Sequence, residues 1–202
     1  MIHGGTKMSD SLNKMRGKEF VRKVLEGERD LRGIALSGGV NLNDCDGYEE
    51  MIGYLKANEQ NLRSNPIQID GSKFSYVTAT GLFLPYVKAK ETYFEGAILR
   101  DVNLFCGYLS SINARNANFS GARADVGMAE FRGANLENVC WQGANCWRTD
   151  FAEADIRGAR ELDKAVLLGT ANFYRTIVTP HEERLIREAV AANEMFDVRQ
   201  LA

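Results

Sequence analysis

Histidine is scarce in this sequence, with only His3 and His181 among 202 residues. General acid–base catalysis, nucleophilic triads and most zinc sites depend on histidine or on a perturbed carboxylate in a cleft. Gly38-Gly39 is not followed by the spacing of a phosphate-binding loop. The four cysteines form no C-x-x-C pair; they are Cys45, Cys106, Cys140 and Cys146. We therefore expect no catalytic residues, no metal site and no cofactor.

The sequence also lacks a long hydrophobic run, so no segment is expected to span a membrane. The first residues carry no hydrophobic stretch of the kind that a secretory signal needs, and we expect a cytoplasmic protein. The formal net charge of −2 argues against direct binding of nucleic acid. With 45% hydrophobic residues, the chain is long enough for one domain with a substantial core.

What the sequence does contain is an apolar residue at every fifth position over a long segment. All eleven such positions from Ile69 to Phe119 are apolar. At 45% hydrophobic residues, chance would produce such a run about once in 6,500 trials per phase. The phase then slips by two residues and resumes at Val126, Phe131, Leu136, Trp141, Cys146, Phe151 and Ile156. Because a period of five fits neither a helix nor a strand, it predicts a repeat architecture.

Several repeats share a motif of alanine, asparagine or aspartate, and a large apolar residue. Examples are Ala117-Asn118-Phe119, Ala134-Asn135-Leu136, Ala144-Asn145-Cys146 and Ala154-Asp155-Ile156. In these residues, between about 67 and 165, the sequence resembles the pentapeptide-repeat family. The resemblance implies an all-β solenoid, a right-handed quadrilateral β-helix in which four pentapeptides form one coil. In that family the central residue and the residue two before it point inward.

Four repeats per coil would stack central residues of every fourth repeat into interior columns. One column would contain Leu99, Phe119 and Trp141, and another Leu109, Phe131 and Phe151. The two extra residues between Ser120 and Val126 predict a bulge at a corner, with Ala124 turned inward. Each coil can bury its inner face only against its neighbours, so both ends of the solenoid need caps.

Both ends of the sequence, and one interruption, are predicted to be helical. A loosely amphipathic pattern predicts a first helix from Ser11 to about Glu26. A second helix is predicted over residues 48–62, and Thr179-Pro180-His181-Glu182 has the pattern of a capping box that starts a third. We therefore expect four segments: a lead-in helix at 1–30, an irregular first coil with a helical insertion at 31–66, the β-helix at 67–178 and a short capping helix at 179–202.

Two surfaces are candidates for contact with other proteins. The first, which we call the apolar strip, lies at outward positions of successive coils and consists of Phe83, Tyr86, Phe105, Met128 and Trp147. Such a strip indicates an interface unless the helix over 48–62 or the N-terminal helix covers it. The second is one face of the C-terminal helix, with Leu185, Ile186, Ala189 and Val190. We expect that face to cover the last coil, to form a homodimer, or to do both.

The sequence therefore predicts a non-catalytic scaffold that binds a protein partner of unknown identity. The family resemblance implies an alternative, a DNA mimic that binds type II topoisomerase (gyrase), as relatives that confer quinolone resistance do. A DNA mimic needs a strongly anionic surface. Residues 67–165 carry 12 acidic and 11 basic residues, which is a nearly neutral wall. We therefore favour the scaffold.

Overall fold

The structure, a computed structural model, describes residues 12–36, 38–121 and 123–200, with the side chains of 194–200 left out. Residues His3, Ser11 and Ala122, which bear on the expectations above, lie outside these ranges. The strands and α-helices are β1 (Asn13–Met15), α1 (Gly17–Leu25), β2 (Ile34–Leu36), α2 (Tyr48–Ala57), α3 (Glu59–Ser64) and α4 (Pro180–Gln200). Short 3-10 turns lie at Leu42–Asp44, Leu162–Lys164 and Leu168–Thr170.

Between the helical ends, the chain forms a ladder of parallel bridges that join residues one coil apart. Gln68 pairs with Lys88, and Lys88 pairs with Tyr108, so each of these two steps spans 20 residues. Three more bridge residues lie between the first two, namely Lys73, Thr78 and Phe83. Four pentapeptides therefore complete one turn of the chain, and the turns stack on one another as a solenoid.

The interior is organised as the period of five predicts. Every central residue of the repeats from Ile69 to Ile156 is buried. The rings of Phe131 and Phe151 stack with centroids 5.7 Å apart and an interplanar angle of 11°. Trp141, one coil beyond Phe119, is fully buried with its centroid 5.6 Å from that ring. The aromatic columns expected from the spacing of four repeats are confirmed.

Each side of a coil ends in a tight turn of four residues, and the third of them has positive φ, as Gly71 does. At one such corner the carbonyl of Ile69 accepts a hydrogen bond from the amide of Ser72 at 3.1 Å. A left-handed residue at this position is typical of a type II turn, which favours glycine. At Gly96 the requirement is also steric, because a Cβ there would lie 2.6 Å from the ring of Tyr76. Tyr86 adopts the same conformation, with φ of 63°.

The two-residue slip enlarges one coil only. Asn103 pairs with Asp125 and Asn118 with Cys140, both 22 residues apart, whereas Asp125 pairs with Asn145, 20 residues on. Ala124 is buried, as expected for an inward residue after the slip. After the slip, the ladder resumes on the same side of the solenoid.

The N-terminal region differs from the continuous helix predicted from Ser11. Residues Asn13–Met15 form β1, which pairs in parallel with β2, and only Gly17–Leu25 is helical. Backbone pairing with β2 takes precedence there over the weak helical pattern. In α1, Phe20 is buried and meets Phe74 edge to face at 5.6 Å. The residues of β2 in turn pair with the first regular coil, since Ala35 pairs with Lys73.

The insertion at residues 48–62 is helical, as predicted, but it forms two helices, α2 and α3. Tyr48, Met51 and Leu55 of α2 are buried, and α2 packs against α1. The Tyr48 hydroxyl donates a hydrogen bond to the carbonyl of Thr80 at 3.1 Å, which fixes the start of α2 to the coil wall.

At the other end, α4 lies against the last irregular turns of the coil. Its predicted capping box is present, because the Glu182 carboxylate accepts the amide N–H of Thr179 at 2.8 Å. The helix passes so close to Gly169 that a Cβ there would lie 2.2 Å from the carbonyl oxygen of Ala189. The division of the chain into four segments stays a prediction.

Candidate protein interaction surface

Most of the apolar strip lies on one corner of the solenoid. Tyr86 and Met128 are left-handed corner residues of their coils, while Phe105 and Trp147 immediately precede the corner residue of theirs. The rings of Tyr86 and Phe105 meet edge to face with centroids 6.2 Å apart. Met128 is 42% exposed and Trp147 is 36% exposed. These four residues present apolar side chains of successive coils along one edge.

Phe83 does not belong to this exposed edge. It is a bridge residue, and only 8% of it is exposed. The Lys56 ammonium lies 5.9 Å from its ring centroid, and Ile52 lines the same 320 Å³ cavity. The expectation that Phe83 is an outward interface residue is therefore corrected. The insertion covers Phe83. Tyr86 and Phe105 are half-buried, and Met128 and Trp147 are exposed.

A groove of about 950 Å³ runs along the exposed part of the strip. Its lining residues are Arg63, Ser64, Pro66, Asp70, Tyr86, Lys88, Lys90, Phe105, Cys106, Tyr108 and Met128. The end of α3 supplies one side and the coil wall the other. Burial raises the pKa of the Cys106 thiol, and the nearby Arg63 opposes that rise. The groove thus joins aromatic rings to basic side chains from two separate parts of the chain.

The residues predicted for a dimer interface are divided between two roles. Leu185, Ile186 and Ala189 are half-buried and pack against the core of their own chain. Val190 lines a 530 Å³ groove between α4 and the coil, and a 450 Å³ groove lies near Leu185. Exposed apolar residues of the last coil surround this end, namely Val166, Leu167, Tyr174 and Ile177. The two grooves beside α4 indicate that this helix covers the last coil only in part.

Charged side chains on the wall are paired from coil to coil. Glu137 accepts from Arg115 on the previous coil at 3.1 Å and from Arg157 on the next at 2.9 Å. The Arg132 Nη2 and Glu153 Oε1 atoms are 2.8 Å apart. Exposed pairs of this kind each contribute about 0–1 kcal/mol, so their main effect is to neutralise the wall. Hydrogen bonding from the Arg157 guanidinium lowers the pKa of Asp155.

The cysteines occupy different environments in the wall and the core. Cys146 is fully buried as a central residue, and burial raises the pKa of its thiol to about 12. Cys140 is a half-buried bridge residue on the wall, and its thiol is free. Within the described ranges, no group of histidine, cysteine and carboxylate side chains is arranged to hold a metal ion.

A family profile for pentapeptide repeats, in eight copies, matches residues 129–160. This segment continues the same 20-residue ladder that begins at Gln68. Residues 129–160 of the chain are therefore pentapeptide repeats. No curated protein matches the chain.

Several solved structures are similar to this chain. One is a pentapeptide-repeat protein from the thylakoid lumen of Arabidopsis thaliana, with 28% identity, a TM-score of 0.44, and coverage of 46% of this chain and 63% of that one. Another is full-length QnrB1, a plasmid-mediated fluoroquinolone resistance protein, with 12% identity, coverage of 80% and 82%, and a TM-score of 0.37. A third is HetL from Nostoc sp. strain PCC 7120, involved in heterocyst differentiation regulation, with 18% identity, coverage of 81% and 92%, and a TM-score of 0.20.

This chain thus spans less than two thirds of the length of the Arabidopsis protein. In the part of the chain that the structure describes, no helix is both long and apolar enough to cross a membrane. The cytoplasmic location and the homodimer expected from the sequence stay predictions.

Sequence reasoning missed the basic side of the groove. Lys88 and Tyr108 are successive bridge residues 20 positions apart, so the repeat period could have placed them side by side. Arg63 could not have been found this way, because it lies in the insertion and outside the repeat phase. Its position depends on how α3 packs.

Proposed function

We propose that this protein is a non-catalytic scaffold of the pentapeptide-repeat type that binds another protein through the exposed part of the apolar strip. The observation that carries the proposal is the edge formed on successive coils by the half-buried Tyr86 and Phe105 and the exposed Met128 and Trp147. Apolar patches that stay exposed on a folded surface usually mark interfaces, and aromatic and methionine side chains are enriched there. The repeat fold supplies a stiff wall that holds these side chains in a fixed spacing.

The pairing of wall charges favours this proposal over DNA mimicry. A mimic of the phosphate backbone needs unpaired anions in a dense array, because its attraction to a DNA-binding enzyme is electrostatic. Here Glu137 and Glu153 are each held by arginine from a neighbouring coil. Binding to type II topoisomerase is therefore the alternative proposal, and a direct assay separates the two.

The scaffold proposal is tested by removing the exposed rings without touching the core. We expect Phe105→Ser combined with Trp147→Ser to abolish capture of a protein partner, because both side chains are on the edge. Tyr93→Ser combined with Ile98→Ser is the matched control, since these exposed residues lie on other sides of the solenoid. Circular dichroism should show that both double variants stay folded. Equal capture by all three proteins would contradict the proposal.

The topoisomerase alternative is tested with purified gyrase. We expect no effect of the protein on DNA supercoiling. Inhibition or protection at micromolar protein that added salt abolishes would favour the DNA mimic, since salt screens electrostatic attraction.

We further infer that the coil is right-handed and quadrilateral and that helical segments cap both of its ends. Four bridges per 20-residue turn support the four-sided section. The packing of Phe20 on Phe74 at one end and of α4 on the last turns at the other supports the caps. The partial cover that α4 gives the last coil supports a homodimer at that end.

A further inference from the structure

We propose that the groove beside the apolar strip binds a short acidic peptide segment that carries an aromatic or long aliphatic side chain. The inference rests on the proposed function, because it names the kind of partner that the strip receives. It depends on two properties of the groove, a surplus of positive charge and an apolar floor.

The positive charge of the groove is not balanced by its own residues. Arg63 and Lys88 make no ion pair with any residue that the structure describes. Lys90 lies 3.4 Å from Glu91 in an exposed pair. The one carboxylate in the lining, Asp70, already accepts the backbone N–H of Lys90 at 2.7 Å. Carboxylates of a partner would therefore meet cations that the chain leaves available.

The apolar floor lies directly beside these cations. Phe105 contacts Tyr86 edge to face, and Tyr108 is 50% exposed next to Lys88 on the bridge ladder. Met128 also lines the groove and offers a flexible apolar contact. A large apolar side chain of the partner would be enclosed by these rings while its acidic neighbours reach Arg63 and Lys88.

The extent of the positive patch favours a peptide over a nucleic acid. Lys88 and Tyr108 on the ladder are followed by Glu130 and Asp150, so the cations are confined to the first coils. Nucleic acids gain affinity by neutralising many successive phosphates, which needs a longer basic track. A short segment with a few carboxylates matches the patch better.

Binding is measured by fluorescence polarisation with a labelled peptide, Asp-Glu-Phe-Asp-Glu-Leu, and its neutral counterpart, Asn-Gln-Phe-Asn-Gln-Leu. We expect the acidic peptide to bind at least about tenfold more tightly, with an affinity that falls as salt is added. Arg63→Glu combined with Lys88→Glu should weaken binding of the acidic peptide by at least about tenfold. Lys73→Glu combined with Arg100→Glu makes the same change in net charge on other parts of the coil. This control should leave the affinity for the acidic peptide unchanged.

A second readout uses the thiol in the groove. The acidic peptide should slow alkylation of Cys106, which lines the groove, and leave that of Cys140 on another side of the coil unaffected. No binding at millimolar peptide, equal binding of the two peptides, or equal loss in both double variants would overturn the inference. So would tighter binding of a twelve-nucleotide oligouridylate, which would assign the groove to RNA.

The outcome is separable from that of the proposed function. If Phe105→Ser with Trp147→Ser abolishes capture of a partner but the acidic peptide does not bind, the scaffold stands and this inference fails. If the peptide binds as described but capture does not depend on the strip, the groove is an acidic-peptide site and the scaffold proposal fails.

Discussion

The carboxylate of Glu182 accepts the backbone N–H of Gly158 at 3.0 Å, and so joins the first turn of α4 to a corner of the coil. The same carboxylate caps its own helix by accepting the N–H of Thr179. Glu182 is only 3% exposed. Burial acts to raise its pKa, but the hydrogen bonds from Thr179 and Gly158 outweigh burial and lower the pKa overall. The ionised side chain of Glu182 therefore stabilises the contact between α4 and the coil.

Glu182→Gln should destabilise the protein by about 1–3 kcal/mol at neutral pH, since it replaces charge-assisted hydrogen bonds in a buried site. Because the folded pKa lies below the unfolded one, the contribution of the carboxylate is full above the ordinary glutamate range and is lost as the pH falls through the folded pKa. The difference in melting temperature from the unchanged protein should therefore shrink as the pH falls below the ordinary range of the glutamate pKa.

The matched control is Glu183→Gln, which removes the exposed pair with Arg187 and should change the melting temperature little at any pH. A Glu182→Gln variant as stable as the control at neutral pH would show that the carboxylate does not stabilise the contact between α4 and the coil.

Gly169→Ala should destabilise the protein by about 1–3 kcal/mol, because the new methyl group would displace α4 from its contact at the Ala189 carbonyl. Gly53→Ala is an informative comparison, since Gly53 lies inside α2 with nothing within 4 Å of its would-be Cβ. That change should stabilise the protein by about 0.5–1 kcal/mol. Urea unfolding measures both, and a Gly169→Ala variant as stable as the unchanged protein would contradict the placement of α4.

Phe131→Asp should unfold the neighbouring coils, with a loss above about 4 kcal/mol, because it buries an unpaired charge between the rings of Trp141 and Phe151. Phe131→Leu keeps the site apolar and should cost only about 1–2 kcal/mol. Thermal unfolding followed by circular dichroism distinguishes them. Unchanged stability of the aspartate variant would mean that the inward register is wrong.

The homodimer prediction concerns the partly covered end of the coil. Sedimentation equilibrium should show dimers of the full chain, whereas a chain ending at Thr179 should lose self-association through the helix. Ile177→Glu places a charge on the exposed end of the coil and should weaken the dimer without disturbing the core. A full chain that stays monomeric at high micromolar concentration contradicts the prediction.

The period of five was enough to assign the interior of the coil. Inward residues such as Leu109, Phe131 and Phe151 were predicted from spacing alone, because each repeat meets the same neighbours one coil away. The helix over 48–62 and the capping box at Thr179 were also predicted, since their signals lie within a few residues of each other. These features depend on local pattern or on a fixed repeat.

The remaining features depend on contacts between segments that have no common period. Residues 13–15 follow a weak helical pattern, yet they form β1 because the backbone of β2 is available beside them. Phe83 is buried because α2 lies over it, and the groove has a basic side because α3 brings Arg63 to it. The sequence thus determined which residues face the core of the solenoid, and the tertiary structure decided which outward residues stay exposed. The physical reason is that each repeat contacts the repeats one coil before and after it, so its neighbours follow from the sequence spacing. The path of an insertion depends instead on how it packs against the rest of the chain.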